Sequence, residues 1–168
     1  MMKDVEINLF NIYVLLLDES ISGYELEKEV GISRTTLLKV RADREKFLSL
    51  SINTLVKLQG WLNSDKGKGY LSAPANDCNL RVMEDLDLGF CKFCKKINLA
   101  EVKGIIVNPL IKTRLLKEFA GLSSMERSLI KRGKKNILSM TLRKVTKIQS
   151  LSNEINKKGL SQVISDCA

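Results

Sequence analysis

Two cysteines separated by two residues, Cys91 and Cys94, have the spacing of one half of a structural zinc site. A complete site needs two further ligands, and the chain contains no histidine. Cys78 and Cys167 would complete a four-cysteine site only if the C-terminus folded back, although two chains could also share one ion. The alternative, which we favour, is that all four are ordinary reduced thiols. We therefore expect no cofactor, with zinc at the cysteine pair as the minor alternative.

The remaining reactive residues do not form a set typical of an enzyme. Without histidine the chain lacks the Ser-His-Asp and Cys-His combinations that activate a nucleophile. We find no paired-carboxylate motif, no glycine-rich phosphate loop and no complete metal-ligand set in the sequence. We expect a binding protein rather than an enzyme.

Positive charge is concentrated in the second part of the chain. The residues up to Cys91 contain 11 Lys and Arg against 14 Asp and Glu, whereas residues 92–158 contain 17 against 4, and the whole chain carries +9. Such a block suits a polyanionic partner, most often nucleic acid. Its densest cations form a predicted basic patch: Lys131, Arg132, Lys134, Lys135, Arg143, Lys144 and Lys147. Contact with DNA, contact with an acidic protein and a merely solvated helix face all remain open for this patch.

The elements that position these groups are expected to be helices. The chain has 168 residues, of which 44% are hydrophobic but only 5% aromatic, and this composition favours an aliphatic helical core. We predict an all-α fold with a four-helix domain over residues 1–63 and a basic, mostly helical domain over 80–168. Residues 64–79 are rich in Gly, Ser, Asn and Asp and are interpreted as a linker. No internal repeat is recognisable in the sequence.

Apolar periodicity and capping residues locate the individual helices. The pattern predicts helices over 4–17, 24–30, from 33 onward, 52–62 and 99–107. Ser22, Ser33 and Ser51 stand where N-caps are needed, and Gly31 stands where a left-handed residue would end the second helix.

The C-terminal part is predicted to contain one long helix. Asn108-Pro109 indicates a stop and a restart, with Asn as the cap and Pro at the first helical position. Ser123 and Glu126 have the spacing of a capping box. The helix that follows would reach toward Lys158, with a break expected only at Gly133. Its weak heptad pattern makes it a candidate element for pairing two chains.

Several residues between Ser22 and Leu62 combine into a recognisable pattern: Leu26, Val30, the turn Gly31-Ile32-Ser33, Thr36-Leu37, Val40 and the segment LSINTLVKL. With these features, residues 1–63 resemble the helix-turn-helix DNA-binding domain of lambda-repressor/Cro (XRE) type regulators. Two positions depart from that family. Glu27 replaces a small residue where the two helices cross, and Gly23 replaces a glutamine that often contacts phosphate.

The resemblance implies that the helix after Ser33 enters the major groove of DNA. Base contacts are then expected from Ser33, Arg34, Thr35, Leu38 and Lys39. Phosphate contacts are expected from Ser22, Arg41, Arg44, Lys46 and Asn53. The alternative is that these cations are solvated charges on a structural helix bundle.

The function implied is that of a sequence-specific transcription regulator, and we expect a repressor. One such domain contacts few base pairs, so we expect a homodimer on a palindromic site in double-stranded DNA. The chain begins with no signal peptide and has no apolar run near the ~20 residues of a membrane helix, so we expect a cytoplasmic protein without a membrane partner. Two alternatives stay open: a phage or mobile-element autorepressor whose C-terminal domain inhibits a host protein, as in some anti-CRISPR proteins, and an accessory DNA-binding protein of replication.

Overall fold

The computed structural model describes residues 5–43, 45–72 and 96–166. These residues are mostly helical, as predicted, with one small two-stranded sheet. In chain order the elements are β1 (Glu6–Asn8), α1 (Leu9–Leu17), α2 (Gly23–Val30), α3 (Arg34–Ala42), α4 (Glu45–Leu48), α5 (Ile52–Leu62), α6 (Asp65–Ser72), β2 (Lys96–Asn98), α7 (Leu99–Val107), α8 (Thr113–Ala120), α9 (Ser124–Lys131), a 3-10 turn (Ile137–Ser139), α10 (Leu142–Lys158) and α11 (Leu160–Asp166).

The three predicted serine caps of the first half are all formed. The hydroxyl oxygens of Ser22, Ser33 and Ser51 accept hydrogen bonds from backbone N–H groups three residues later, at 3.1, 3.2 and 3.3 Å. Gly31 ends α2 with φ 75°, in the left-handed region that glycine adopts without a Cβ penalty. These local signals set the starts of α2, α3 and α5.

Residues 6–8 form a strand rather than the first part of a helix, which corrects the prediction over residues 4–17. Glu6–Asn8 is a strand, and α1 starts at Leu9 because the Asn8 side chain caps it, accepting a bond from the N–H of Asn11 at 3.1 Å. Ile7 is fully buried in this strand. An apolar residue on a strand this short fits a helical periodicity equally well, so only the long-range pairing with β2 decides the conformation.

Helix α6 occupies the first half of the interval that was predicted to be a linker. Lys66 pairs with Glu29 of α2, and the Tyr70 hydroxyl donates to Asp18 Oδ2 at 3.0 Å. Gly67 is required here, because a Cβ at this position would lie 2.3 Å from the carbonyl oxygen of Trp61. Residues 73–79 of the predicted linker lie outside the described residues.

The long C-terminal helix of the prediction is divided into two helices. Helix α9 ends at Lys131, Gly133 follows with φ 70°, and α10 begins only at Leu142. Val145 and Ile148, which belong to the predicted heptad pattern, are buried inside the same chain. The seam that was predicted to pair two chains is therefore part of the protein's own core.

The predicted restart at Asn108-Pro109 is also wrong. Asn108 follows the last residue of α7, and its side chain accepts a bond from the N–H of Leu110 at 2.9 Å, forming a turn. The next helix starts at Thr113. The predicted capping box of Ser123 and Glu126 is confirmed, with both reciprocal bonds present.

The second half of the chain repeats the first, ninety positions later. Strand β2 and helices α7 and α8 have the bounds of β1, α1 and α2 shifted by that interval, and the left-handed glycine recurs as Gly121 with φ 65°. The sequence interpretation, which recognised no repeat, is corrected by this arrangement. Residues 80–168 were described simply as a basic helical domain, and most of them form a second copy of the N-terminal fold.

A buried glutamine gives the repeat its clearest signature. Gln59 accepts a bond from the backbone N–H of Asn8 at 2.8 Å and donates to Asn63 at 3.0 Å. Gln149 does the same for Asn98 and Asn153, at 2.9 and 3.2 Å. Each amide fixes the start of the first helix of its half against α5 or α10. A buried amide must satisfy its polar atoms, so the same constraint operates in both halves.

The halves are joined by two reciprocal contacts. Strands β1 and β2 pair antiparallel about Ile7 and Ile97. At a second point, the bridge between Ser51 and Thr141, the N–H of Ile52 donates to the carbonyl of Met140 and that of Leu142 to the carbonyl of Leu50, at 3.0 and 2.8 Å. A shift of ninety residues exchanges the two bonds, because Ile52 corresponds to Leu142 and Leu50 corresponds to Met140. The halves are therefore related by an approximate two-fold axis through both contacts, and they share one hydrophobic core.

Candidate nucleic-acid interface

Helices α2 and α3 are joined by the three residues Gly31 to Ser33. Leu26 and Val30 of α2 and Leu37 and Val40 of α3 are buried, so the inner faces of both helices pack into the core. The glycine turns the chain, and Ser33 caps the next helix. The outer face of α3 is left to solvent.

All five residues predicted to contact bases lie on this outer face. They are exposed: Ser33, Arg34, Thr35, Leu38 and Lys39. Leu38 retains 63% of its surface, so its methyl groups are presented to solvent beside polar neighbours. Hydroxyl, guanidinium, ammonium and methyl groups are thus presented together, and these are the groups that read base edges in the major groove.

Arg34 forms an ion pair with Glu27, one of the two residues that depart from the helix-turn-helix pattern. Its Nε lies 2.8 Å from Oε2 of Glu27, and both side chains are substantially exposed. An exposed pair of this kind contributes about 0–1 kcal/mol, whereas a bidentate contact of arginine with guanine contributes about 1–3 kcal/mol. The pair therefore orients Arg34 and is weak enough for a stronger partner to replace it.

Arg41, one of the predicted phosphate ligands, makes hydrogen bonds within the chain. Its guanidinium donates to the carbonyl oxygens of Leu16, Asp18 and Ile21 at 2.9, 2.7 and 3.2 Å. Leu16 lies in the last turn of α1, Asp18 is its C-cap, and Ile21 lies in the loop that follows. Arg41 therefore uses three guanidinium N–H donors to close off α1.

The other predicted phosphate ligands differ in what they contact. Ser22 and Asn53 are exposed at the first turns of α2 and α5. Lys46 is exposed, with Asp43 at 3.8 Å. Arg44 lies outside the described residues.

A second helix pair, which the sequence interpretation missed, is formed by α8 and α9. Gly121 and Ser123 occupy the turn as Gly31 and Ser33 do, and the Ser123 hydroxyl accepts from the N–H of Glu126 at 3.1 Å. The outer face of α9 carries Met125, which is 73% exposed. The recurrence of Gly-x-Ser with matching buried positions around it is the signal that could have revealed the pair.

Arg127 performs in this half the task of Arg41, from inside the core. It is only 5% exposed, and it donates to the carbonyls of Ile106 and Asn108 at 2.9 and 2.7 Å and to the Thr113 hydroxyl at 2.7 Å. Burial lowers the pKa of its guanidinium. Ile106 and Asn108 are the repeat counterparts of Leu16 and Asp18, so both arginines bind equivalent carbonyls.

The predicted basic patch divides into structural and solvent-facing cations. Lys135 and Lys144 are half-buried and hold Glu126 at 2.8 and 3.0 Å. The hydrogen bond from Lys135, opposed by burial and assisted by Lys144, lowers the pKa of Glu126 to about 2. Arg143 pairs with Glu45 of the first half.

The other four cations of the patch, Lys131, Arg132, Lys134 and Lys147, are exposed. Within the described ranges none of them has a carboxylate partner. Lys131 is the last residue of α9, and Arg132 and Lys134 lie in the turn between α9 and the 3-10 segment. Their charges are available to a polyanion.

The path of the chain relates the helix pairs to the two contacts between the halves. Helix α1 starts beside Gln59, near the strand pair, and its far end is bound by Arg41 of α3. From α3 the chain returns to the axis at Ser51, where the bridge is formed. The second half follows the same path. The strand pair therefore lies near the start of α1, and the bridge lies at the start of α5.

The cysteine pair cannot be assigned a ligand role from the structure. Cys78, Cys91, Cys94 and Cys167 all lie outside the described residues. Among the residues that are described, no group of three or more Cys, Asp and Glu side chains converges as metal ligands would. In the same part of the chain, no helix combines the length and the apolar character needed to cross a bilayer.

No protein-family model matches the chain, and no curated protein or solved structure is significantly similar to it.

Proposed function

We propose that the protein is a sequence-specific regulator of transcription that binds double-stranded DNA through the outer face of α3. The observation that carries the proposal is the set of exposed residues at the first turns of a capped helix: Ser33, Arg34, Thr35, Leu38 and Lys39. A purely structural helix gains nothing from exposing Leu38 beside two cations. A helix that meets base edges gains apolar contact with thymine methyl groups and hydrogen bonds to guanine.

The second helix pair supports the same function for the C-terminal half. The positive charge of this half, for which the sequence also allows a host-protein partner, lies beside the second helix pair. Lys131, Arg132 and Lys134 stand at or just beyond the end of α9. DNA carries about one charge per 1.7 Å of helix axis, which a cluster of cations without carboxylate partners matches well. We therefore favour DNA over an acidic host protein as the partner of this half. Repression is the expected direction, because it requires only that the protein occupy its site.

Selection of bound sequences from random duplex DNA, with the full chain, tests the proposal. We expect a defined consensus, and Arg34→Ala should relax it at one base pair. The matched control is Lys157→Ala, which removes a cation from α10 about 22 Å along the helix from its first residue. The control should leave the consensus unchanged. Failure to enrich any sequence, or an Arg34→Ala consensus identical to that of the unmodified chain, would overturn the assignment of α3.

A further inference from the structure

We propose that a single chain fills both halves of its DNA site and that the two half-sites differ in sequence. This inference rests on the proposed function and deepens it. Regulators with one helix-turn-helix unit per chain reach two half-sites by pairing two chains. Here the second unit is supplied by the same polypeptide.

The first support is the two-fold relation between the halves. The reciprocal bonds at the Ser51–Thr141 bridge and the register of the two strands place equivalent residues on opposite sides of one axis. Duplex DNA has local two-fold axes perpendicular to its helix. A protein with the same symmetry presents the same surface to successive turns of the major groove.

The second support is the direction in which both units face. The two-fold relation places α2–α3 and α8–α9 at the same level along the axis, and we place the duplex at the bridge end, where one duplex would meet both outer faces. Helices α5 and α10 both begin at this end, so their N-terminal partial positive charges point the same way. Asn53 and Arg143 occupy equivalent positions there, close to the axis.

The surface that would join two chains is already used within one chain. The N–H groups of Ile52 and Leu142 and the carbonyls of Leu50 and Met140 are bonded to each other across the axis. Both edges that face each other in the strand pair are likewise occupied. The homodimer expected from the sequence is thus replaced by a dimer-like arrangement inside the chain.

The two reading faces carry different chemistry at matched positions. Arg34 and Thr35 of α3 correspond to Ser124 and Met125 of α9. The first pair offers a guanidinium fork and a hydroxyl, and the second offers a short hydroxyl and a flexible thioether. Arginine discriminates guanine strongly, whereas methionine gives apolar contact with weak discrimination.

The remaining positions follow the same contrast. Leu38 and Lys39 correspond to Ser128 and Leu129, so α9 lacks a cation on its reading face. Lys131, Arg132 and Lys134 lie at or just beyond the end of α9 instead, and Lys112 precedes the start of α8. Cations at the ends of the helices suit phosphates, which position a protein without specifying sequence. The first half-site should therefore be the more strictly defined.

The experiment is a stoichiometry measurement combined with a footprint on the selected duplex. Native mass spectrometry should find one chain per duplex, and hydroxyl-radical cleavage should show two protected regions about one helical turn apart. Two chains per duplex with the same footprint, or one chain with a single protected region, would overturn the inference while leaving the proposed function intact. Absence of any binding to duplex DNA would instead overturn the proposed function.

Variants then separate the two half-sites. Arg34→Ala should cost roughly 10- to 100-fold in preference at one base pair of one half-site only, and Met125→Ala should alter only the other half-site. Replacing Lys131, Arg132 and Lys134 together by Gln should lower the salt slope by about 2–3 without changing the consensus, whereas Lys157→Gln should not. If Arg34→Ala relaxed both half-sites equally, two copies of the same face would be bound, and the inference would be wrong.

Discussion

In each half, one arginine donates hydrogen bonds to carbonyl oxygens at the end of the first helix. The two arginines stand on different turns of their own helices. Arg41 stands at the end of α3, whereas Arg127 stands four residues earlier in the repeat, opposite the position of Leu37. Both guanidinium groups bind the same pair of carbonyl positions. The fold therefore requires a guanidinium beside the carbonyls at the end of the first helix. Either of two positions on the third helix can supply it.

This difference changes what each half presents to solvent. In the first half the residue near the end of α3 is Arg41, whose guanidinium is hydrogen-bonded within the fold. In the second half the equivalent residue is Lys131, which is exposed and has no carboxylate partner in the described part of the chain. Moving the arginine into the core thus adds one available cation beside α9. A purely structural exchange contributes in this way to the charge contrast between the halves.

The largest effect is expected from removing Arg127. Arg127→Leu should lower the free energy of unfolding by about 3 kcal/mol, because two carbonyls and a hydroxyl lose their donors in a buried place. Arg41→Leu should cost only about 1 kcal/mol, since Arg41 is half-buried and water can replace it. Urea unfolding of both variants measures the difference.

A double variant makes this comparison sharper. Arg127→Leu combined with Lys131→Arg recreates the arrangement of the first half, and it should recover most of the lost stability. Lys131→Arg alone serves as the control and should be nearly neutral. If the double variant were as unstable as Arg127→Leu, the two arginines would not be interchangeable, and the comparison between the halves would fail at this point.

The second prediction concerns acid. The pKa of Glu126 is about 2 in the folded protein, so its ionised form contributes stability that is complete above the ordinary pKa of 4.5 and is lost as the pH falls toward 2. Glu126→Gln should cost about 2 kcal/mol at neutral pH and should flatten the dependence of stability on pH over that window. The first half has Thr36 at this position.

Glu118→Gln provides the matched control for this measurement, because Glu118 pairs with Arg114 on the exposed surface. It should leave the acid dependence unchanged. An equal flattening by both variants would show that acid sensitivity is a property of the surface as a whole rather than of the Glu126 cluster.

A smaller effect follows from the caps of α2 and α8. Ser22 caps α2 with its side chain, whereas Lys112, at the equivalent position, provides no side-chain cap. Lys112→Ser should therefore stabilise the protein by about 0.5–1 kcal/mol, and Ser22→Ala should destabilise it by about 1 kcal/mol. Thermal unfolding compares the two. Under the proposed function, Lys112→Ser should also weaken DNA binding. If neither stability nor affinity changed, position 112 would neither limit the capping of α8 nor contact phosphate.

The smallest effect is expected at the ion pair that links the halves. Glu45 and Arg143 are both largely exposed, and such pairs contribute less than about 1 kcal/mol. Glu45→Gln should change the unfolding free energy by no more than that. It should nevertheless tighten DNA binding slightly, because it removes a negative charge near the axis and releases Arg143. A loss of affinity would indicate that the pair positions Arg143 for its contact.

Local features of the fold could be predicted from the sequence, and long-range ones could not. The serine caps, the left-handed Gly31 and the capping box depend on a few neighbouring residues, and they are formed as expected. Strand β1 was interpreted as helix because its conformation depends on a partner ninety positions away. The outward position of the α3 residues followed from periodicity, whereas the inward position of Arg41 depended on carbonyls brought close by folding.

The repeat was missed because few of its residues are identical. Identity at the ninety-residue spacing is confined to short pieces, such as Ile7-Asn8-Leu9 with Ile97-Asn98-Leu99 and Gln59 with Gln149. The shift of the arginine by one turn further obscures the alignment, because Arg41 then stands opposite Lys131. The opposite charge balance of the halves also made them look like different domains. Burial is repeated far more faithfully than residue identity.

Joining both units in one chain has a genetic consequence. In a homodimer each codon is expressed on both sides of the axis, so every substitution is applied twice. Here each codon is expressed once, and a substitution in α3 leaves α9 untouched. The two sides can consequently diverge one residue at a time while the strand pair and the bridge keep them together. Under the proposed function, occupancy of a DNA site would rise in simple proportion to the amount of protein at low dose, without the squared dependence of a dissociating pair.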